Sequence, residues 1–206
     1  MAVSFDLFGT LVDAETPDDP ASTVAAELRD RGVAVPADFG TAYREMHVDA
    51  PPGAEIPLPA HVAAALASRG VDAPKNAARR AVVAAFDPTV TRREGALEAI
   101  EAAADRGSIG LCSNCSVPEL VGRTLVRAEL RGSFDAVVTS VGCGWRKPDR
   151  RAFGTIADRL GCEPGDLVHV GDDPDADGGV GVVGGQFVDV AEVPLPELPA
   201  WLGSNP

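Results

Sequence analysis

Six side chains in this 206-residue chain have the type and placement that covalent chemistry needs. Asp6 closes the apolar run "VSF", a costly place for a carboxylate unless its charge is used. Ser113 closes "IGLC", Lys147 follows "VVTS" after a short link, and Asp172 follows "LVHVG" with Asp173 and Asp177 close behind. Each type has a job. A carboxylate at Asp6 can attack phosphorus or carbon and form a covalent intermediate. A hydroxyl at Ser113, with the backbone amides after it, donates to phosphate oxygens. An ammonium at Lys147 neutralises charge on the nucleophile and the transferring group. Carboxylates gathered at Asp172, Asp173 and Asp177 repel an anionic substrate unless a divalent cation lies between them, and such oxygen-only ligands suit Mg²⁺.

These residues act together only if their segments share one sheet. Residues 2–8 read as a buried strand, and from about residue 94 strand and helix patterns alternate. Helix "EGALEAIEAAADRG" leads to strand "SIGLCS", helix "VPELVGRTLVRAEL" to strand "FDAVVTS", and helix "DRRAFGTIADRLG" to strand "DLVHVG", with "QFVDV" last. Such alternation implies right-handed crossovers and a Rossmann-like parallel sheet with helices on both faces. Ligands of such a sheet sit at the carboxyl ends of its strands, where all four polar stretches fall. Between residues 14 and 89 the pattern is helical only, at about 20–31, 37–48, 58–69 and 75–86, punctuated by Gly and Pro. The expected organisation is therefore an α/β core of residues 1–13 plus 90–206, with an inserted all-helical cap over 14–89.

The charge balance narrows the partners. Thirty-one acidic residues against 18 basic ones give a net charge of −13, which disfavours nucleic acid and anionic lipid. The excess resembles the acidic, lysine-poor composition of salt-adapted, halophile proteins. No apolar stretch is long enough to span a membrane, and Asp6 interrupts the only run resembling a signal, so a cytoplasmic location is expected. Sixteen of the basic residues are Arg, and Lys75 and Lys147 are the lysines. Lys147 marks a place that needs a compact ammonium, whereas Lys75 reads as an ordinary side chain.

The stretches "FDLFGT", "LCSN", "GWRKPD" and "HVGDDPDAD", in that order, resemble the four motifs of the haloacid dehalogenase superfamily, with a helical cap inserted after the first. The resemblance covers nearly the whole chain. It implies Asp6 as nucleophile and metal ligand, the Phe8 carbonyl as a backbone metal ligand, and Thr10, in the turn that follows, as a substrate contact. It implies Ser113 as the phosphate-binding hydroxyl, Asn114 as a substrate contact, and Lys147 as the motif-three ammonium. Asp172 becomes the main metal carboxylate, with Asp173 and Asp177 as further metal partners.

One position departs from the phosphatase pattern. Most phosphatases of this superfamily carry a second Asp two residues after the nucleophile, as acid to the leaving group; here it is Phe8. Dehalogenases typically carry an aromatic residue there, and "LCSN" resembles their second motif. The three bare acids of motif four favour Mg²⁺ and phosphoryl chemistry on a small phosphorylated molecule. The alternatives are a metal-independent 2-haloacid dehalogenase and a non-catalytic phosphometabolite-binding protein. His47 and His61 in the cap are candidate replacement acids, with Tyr43 on the same helical face as His47.

Three features are discounted. "GVGVVG" is a GxGxxG pattern after an acidic turn, not between strand and helix, and reads as a last crossover helix of small residues. Cys112 and Cys115 form a CxxC with Cys143 on the next loop, but no fourth ligand is evident and small buried thiols are expected. Trp145 reads as packing.

Overall fold

The computed structural model describes residues 1–74 and 76–204, so Lys75 lies outside the described residues. β1 (Ala2–Phe5) is buried at every position, as expected of a strand covered on both faces. β2 (Val12–Ala14) leads into helices α1 (Pro20–Asp30), α2 (Phe39–Arg44), α3 (Leu58–Ala67) and α4 (Ala77–Ala85), and β3 (Val90–Arg92) follows them. Alternation then begins with α5 (Ala96–Ala104), β4 (Ile109–Ser113), α6 (Leu120–Arg127) and β5 (Ala136–Thr139). It continues through the single turn α7 (Ser140–Cys143), α8 (Arg150–Leu160), β6 (Leu167–Gly171), β7 (Gln186–Asp189) and α9 (Leu198–Ser204).

The five core strands form one parallel sheet in the order β5-β4-β1-β6-β7. The chain moves outward from β1 through β4 and β5, then returns to β6 and β7 on the other side. The strand order therefore reverses at β1, and the crevice beyond its carboxyl end is where an open sheet binds ligands. The register is consequential. Phe5 pairs with Leu111 on one side and Val170 on the other, so Asp6, Ser113 and Asp172 emerge within two residues of one level.

Periodicity explains the cover. α8 buries Ala152, Phe153, Ile156, Ala157 and Leu160, one stripe at helical spacing, and Asp149 caps its start by accepting from the Arg151 amide. α1 begins at Pro20 with Asp19 accepting from the Ser22 amide. No described helix is long and apolar enough to cross a membrane.

The structure differs from the sequence reading at several boundaries. β1 ends at Phe5 instead of residue 8, because the amides of Leu11 and Val12 both return to the Leu7 carbonyl and close a tight loop. Gly9, with φ +84°, makes that loop accessible. α2 stops at Arg44 because Glu45 is already extended. The β2–β3 ribbon, antiparallel with Val12 opposite Arg92, was not legible as strand, and neither was α9 as helix. "GVGVVG" forms most of a 3₁₀ crossover over Asp177–Val183, with Gly184 as its C-cap.

That crossover explains Gly179. A Cβ placed there would lie 2.4–2.8 Å from Pro148, including its backbone, so only glycine lets this turn pack against the segment bearing Lys147. Gly179→Ala is expected to lower stability by about 1–3 kcal/mol through overpacking. Denaturant unfolding measures this, and an unshifted midpoint would show that the turn can retreat.

Candidate active site

Lys147 is brought to the strand ends by a clip from the neighbouring loop. The Asn114 side chain donates Nδ2–H to the Lys147 carbonyl at 3.0 Å and accepts the Lys147 amide on Oδ1 at 2.8 Å. With its backbone so fixed, the Lys147 Nζ donates to Asp6 Oδ1 at 2.7 Å and to Asp177 Oδ1 at 2.5 Å. Both carboxylates and the ammonium are buried. Beneath them lies His169, fully buried on β6 and in register with Ser4 on β1. Its Nε2 is 3.0 Å from Asp177 Oδ1 and its Nδ1 is 2.8 Å from Ser4 Oγ. Because a carboxylate only accepts, Nε2 carries the proton and Nδ1 accepts from the serine.

The titration behaviour follows from this sharing. Burial is the largest influence on Asp6 and pushes its carboxyl up to about 6; Lys147 opposes the rise, while Asp177 and Asp172 add to it. Burial disfavours the Lys147 charge, yet Asp6 and Asp177 together hold it above its usual value. Asp177 feels the same burial, but the His169 hydrogen bond and the Lys147 charge keep it ionised well below the usual range. Burial and then Lys147 push His169 down to about 4, leaving it neutral at pH 7.

Several sequence expectations require correction. Asp173 does not face the other acids: its Oδ1 accepts from the amides of Asp175 and Ala176, so it shapes its own turn. Asp177 is occupied by Lys147, His169 and the Asp173 amide. The acids of motif four are thus not a bare cluster, and no group of three or more His, Cys, Asp or Glu among the described residues is arranged to hold a metal. Asn114 spends both ends of its amide on Lys147 and holds that loop instead of facing a substrate. Thr10, fully buried, donates to Asp172 Oδ1 at 2.7 Å and so orients that carboxylate. Ser113 is buried, and among the described residues its hydroxyl has no hydrogen-bond partner.

The residues left to hold a divalent cation are fewer than expected. Asp172 leans over Gly9, whose missing side chain leaves room: a Cβ there would meet Asp172 Oδ2 at 2.3 Å. Asp172 also acts electrostatically on Asp6. Asp6 and Asp172 are the carboxylates that could hold Mg²⁺, an ion that takes one or two carboxylates when waters and a phosphate complete its shell.

The remaining candidates separate clearly. His47 and His61 direct Nε2 to the carbonyls of Ala42 and Tyr43, each at 2.7 Å, and so finish the end of α2. Arg151 stacks over the Trp145 ring, 3.1 Å from its centre, as packing predicts. Cys112 is a buried thiol pushed up to about 12 by burial, which keeps it protonated. A cavity of about 960 Å³ lined by Met1, Ser108, Leu167 and Gln186 opens at the amino ends of the strands, opposite this chemistry. Sequence reasoning missed His169 and Ser4, whose one signal was polarity inside apolar strands. It also missed Arg93, which crosses from the ribbon to donate to the Gly9 carbonyl and lies 3.8 Å from Asp13.

Carboxylate and buried lysine meeting at the strand ends of a parallel α/β sheet form a site suited to covalent chemistry. The chain belongs to the haloacid dehalogenase-like hydrolase family, whose model matches residues 1–181. No curated protein matches it significantly. Among solved structures it is similar to the 2-haloacid dehalogenase of Pseudomonas syringae pv. Tomato DC3000, at 20% identity and TM-score 0.61, covering 98% of each chain. It is also similar to a HAD phosphatase from Thermococcus onnurineus, at 21% identity and TM-score 0.54, covering 91% of this chain and 85% of the other. A predicted phosphoglycolate phosphatase from Haemophilus somnus 129pt gives 16% identity and TM-score 0.57, covering 91% and 83%. At these identities the likeness establishes the fold, and the fold is shared by both chemistries.

In EDTA-treated protein the Asp6 carboxyl is expected to titrate near pH 6, as read by ¹³C NMR. Lys147→Met removes the one influence that holds Asp6 ionised from its immediate contact, so the midpoint should rise. An unchanged or lower midpoint would show that Lys147 does not govern the charge of Asp6.

Proposed function

We propose that the chain is a Mg²⁺-dependent hydrolase of phosphatase type, acting on a small phosphorylated molecule through an aspartyl-phosphate at Asp6. The charge balance at the strand ends carries this reading. Among the described residues, Asp6 and Asp177 share one ammonium beside a neutral imidazole and Asp172 adds a further carboxylate acting on Asp6, while Arg93 donates to the Gly9 carbonyl and lies near Asp13. An anionic substrate meets net repulsion there unless a divalent cation offsets the carboxylates. When bound, Mg²⁺ held by Asp6 and Asp172 would supply that positive charge to the phosphoryl oxygens.

The chain's own residues divide the remaining work. Lys147 holds Asp6 Oδ1, which leaves Oδ2 free to attack phosphorus. The unpartnered Ser113 hydroxyl is available to a phosphoryl oxygen. As the Asp6–phosphorus bond forms, the bond to the leaving oxygen breaks, and water later cleaves the acyl phosphate to return Asp6. Phe8 has no proton to give, so the leaving group departs without the assistance that is ordinarily worth about 10²–10⁴-fold. Acyl and aryl phosphates, whose carboxylate and aryloxide groups leave readily as anions, are the favoured substrate class.

A 2-haloacid dehalogenase is the second reading. The observation favouring it is Phe8 itself, since a halide needs no proton to leave, and dehalogenases stand among the similar structures. A panel of phosphorylated metabolites and 2-haloacids, with and without Mg²⁺ at high salt, separates the two. The phosphatase reading expects metal-dependent phosphate release, lost in Asp6→Asn. Undiminished aryl phosphate hydrolysis in EDTA, or halide release without metal, would overturn it. Phe8→Asp should accelerate poor leaving groups more than good ones; an equal effect on both would place the acid elsewhere.

A further inference from the structure

Among the contacts between the helical segment and the core is a strap, residues 53–58 at the junction of α2 and α3. Ala54 forms an isolated antiparallel bridge with Trp145, the Glu55 amide donates to the Gly144 carbonyl at 2.9 Å, and the Arg146 amide donates to Gly53 at 2.9 Å. One turn on, the Leu58 amide donates to the Ser116 carbonyl at 2.9 Å. The strap thus touches both the loop bearing Lys147 and the loop following Ser113.

Glu55 is the side chain at the centre of this contact. It belongs to the helical segment, yet its carboxylate is 3% exposed and sits between core loops. Its Oε2 accepts from the Ser140 hydroxyl and from Arg146 Nη1, the latter at 2.8 Å. Ser140 in turn accepts the Cys115 amide at 2.8 Å, while Val141 donates back to the Cys115 carbonyl at 3.2 Å. A single carboxylate therefore touches the residue before Lys147 directly, and reaches the second residue after Ser113 through one hydroxyl. Other pairs bridge the same two parts, such as Arg79 with Glu119, but both partners there are about half exposed and solvent weakens them.

We propose that Glu55 is a positioning residue that latches the helical segment over the Asp6 site and sets the placement of the Ser113 and Lys147 loops together. The latch holds whichever substrate class is correct, because it acts on the loops and not on the reacting atoms. A buried carboxylate is stable here only while Ser140 and Arg146 meet it, so opening the strap exposes the Glu55 carboxylate and the Ser140 hydroxyl to water together. The contact is therefore a two-position element: docked with its hydrogen bonds made, or released with the Glu55 carboxylate and Ser140 hydroxyl solvated.

Hydrogen exchange of the full-length protein tests this, comparing wild type, Glu55→Gln and Glu55→Ala. In Glu55→Ala, exchange at the Glu55, Leu58 and Arg146 amides should rise roughly tenfold or more, with β1 and β6 unchanged. Glu55→Gln keeps the length and one acceptor for Ser140 but loses the charge that meets Arg146, so its protection should fall between the two. Equal protection in all three proteins would overturn the latch. Loss spreading to β1 and β6 in Glu55→Ala, or no rescue by glutamine, would equally overturn it by making Glu55 a general stability residue. Because the readout is exchange, a failed phosphatase assay leaves this result standing.

Discussion

The centre of this protein is one ammonium shared between two buried carboxylates. Taking three charges out of water costs several kcal/mol apiece, and only close mutual contact with further hydrogen bonds offsets it. Lys147 meets Asp6 and Asp177, His169 supplies Asp177 with a second donor, and Ser4 fixes the imidazole. The arrangement forces an unequal outcome. Asp177, with two side-chain donors, stays firmly ionised, while Asp6 holds half a cation and carries a raised pKa. A carboxylate so placed is less hydrated and more basic than an exposed one, which suits a nucleophile.

Much of the surrounding fold serves that contact. Asn114 spends its whole side chain fixing the Lys147 backbone, Gly179 makes room for Pro148, and Thr10 turns Asp172 toward the site. None of these three residues needs to touch a reacting atom. They reduce the freedom of those that do, and preorganisation of this kind lowers the reorganisation a reaction must undergo. The Glu55 strap extends the same logic to the helical segment, which meets the core at the loops that carry the chemistry.

Motif order and strand ends were legible in the sequence because they are local: an apolar run followed by a polar residue is visible in one dimension. The sheet, its crossovers and the positions of Asp6, Ser113 and Asp172 at strand ends follow from that pattern, whereas Lys147 lies beyond α7 and is placed by Asn114. The length of β1 was not legible, because the tight Leu7–Val12 loop consists of backbone bonds that any residues of that composition could make. The β2–β3 ribbon was missed since each strand spans three residues, too short for an alternation to register. The role of motif four was misread for another reason. Three acids in sequence looked like one cluster, yet an Asx-type turn at Asp173 and the depth of Asp177 send their side chains in different directions.

By itself the sequence determined the parallel core, the run of helices after the first strand and the strand-end residues, since these rest on local pattern and spacing, while its four motifs carried the resemblance to the family. Tertiary structure alone decided which carboxylate faces which cation. Side chains 141 and 30 residues apart meet at Lys147, and 85 residues separate Glu55 from Ser140. Their pairing depends on register, burial and loop packing, and it is pairing that sets charge, basicity and access at Asp6.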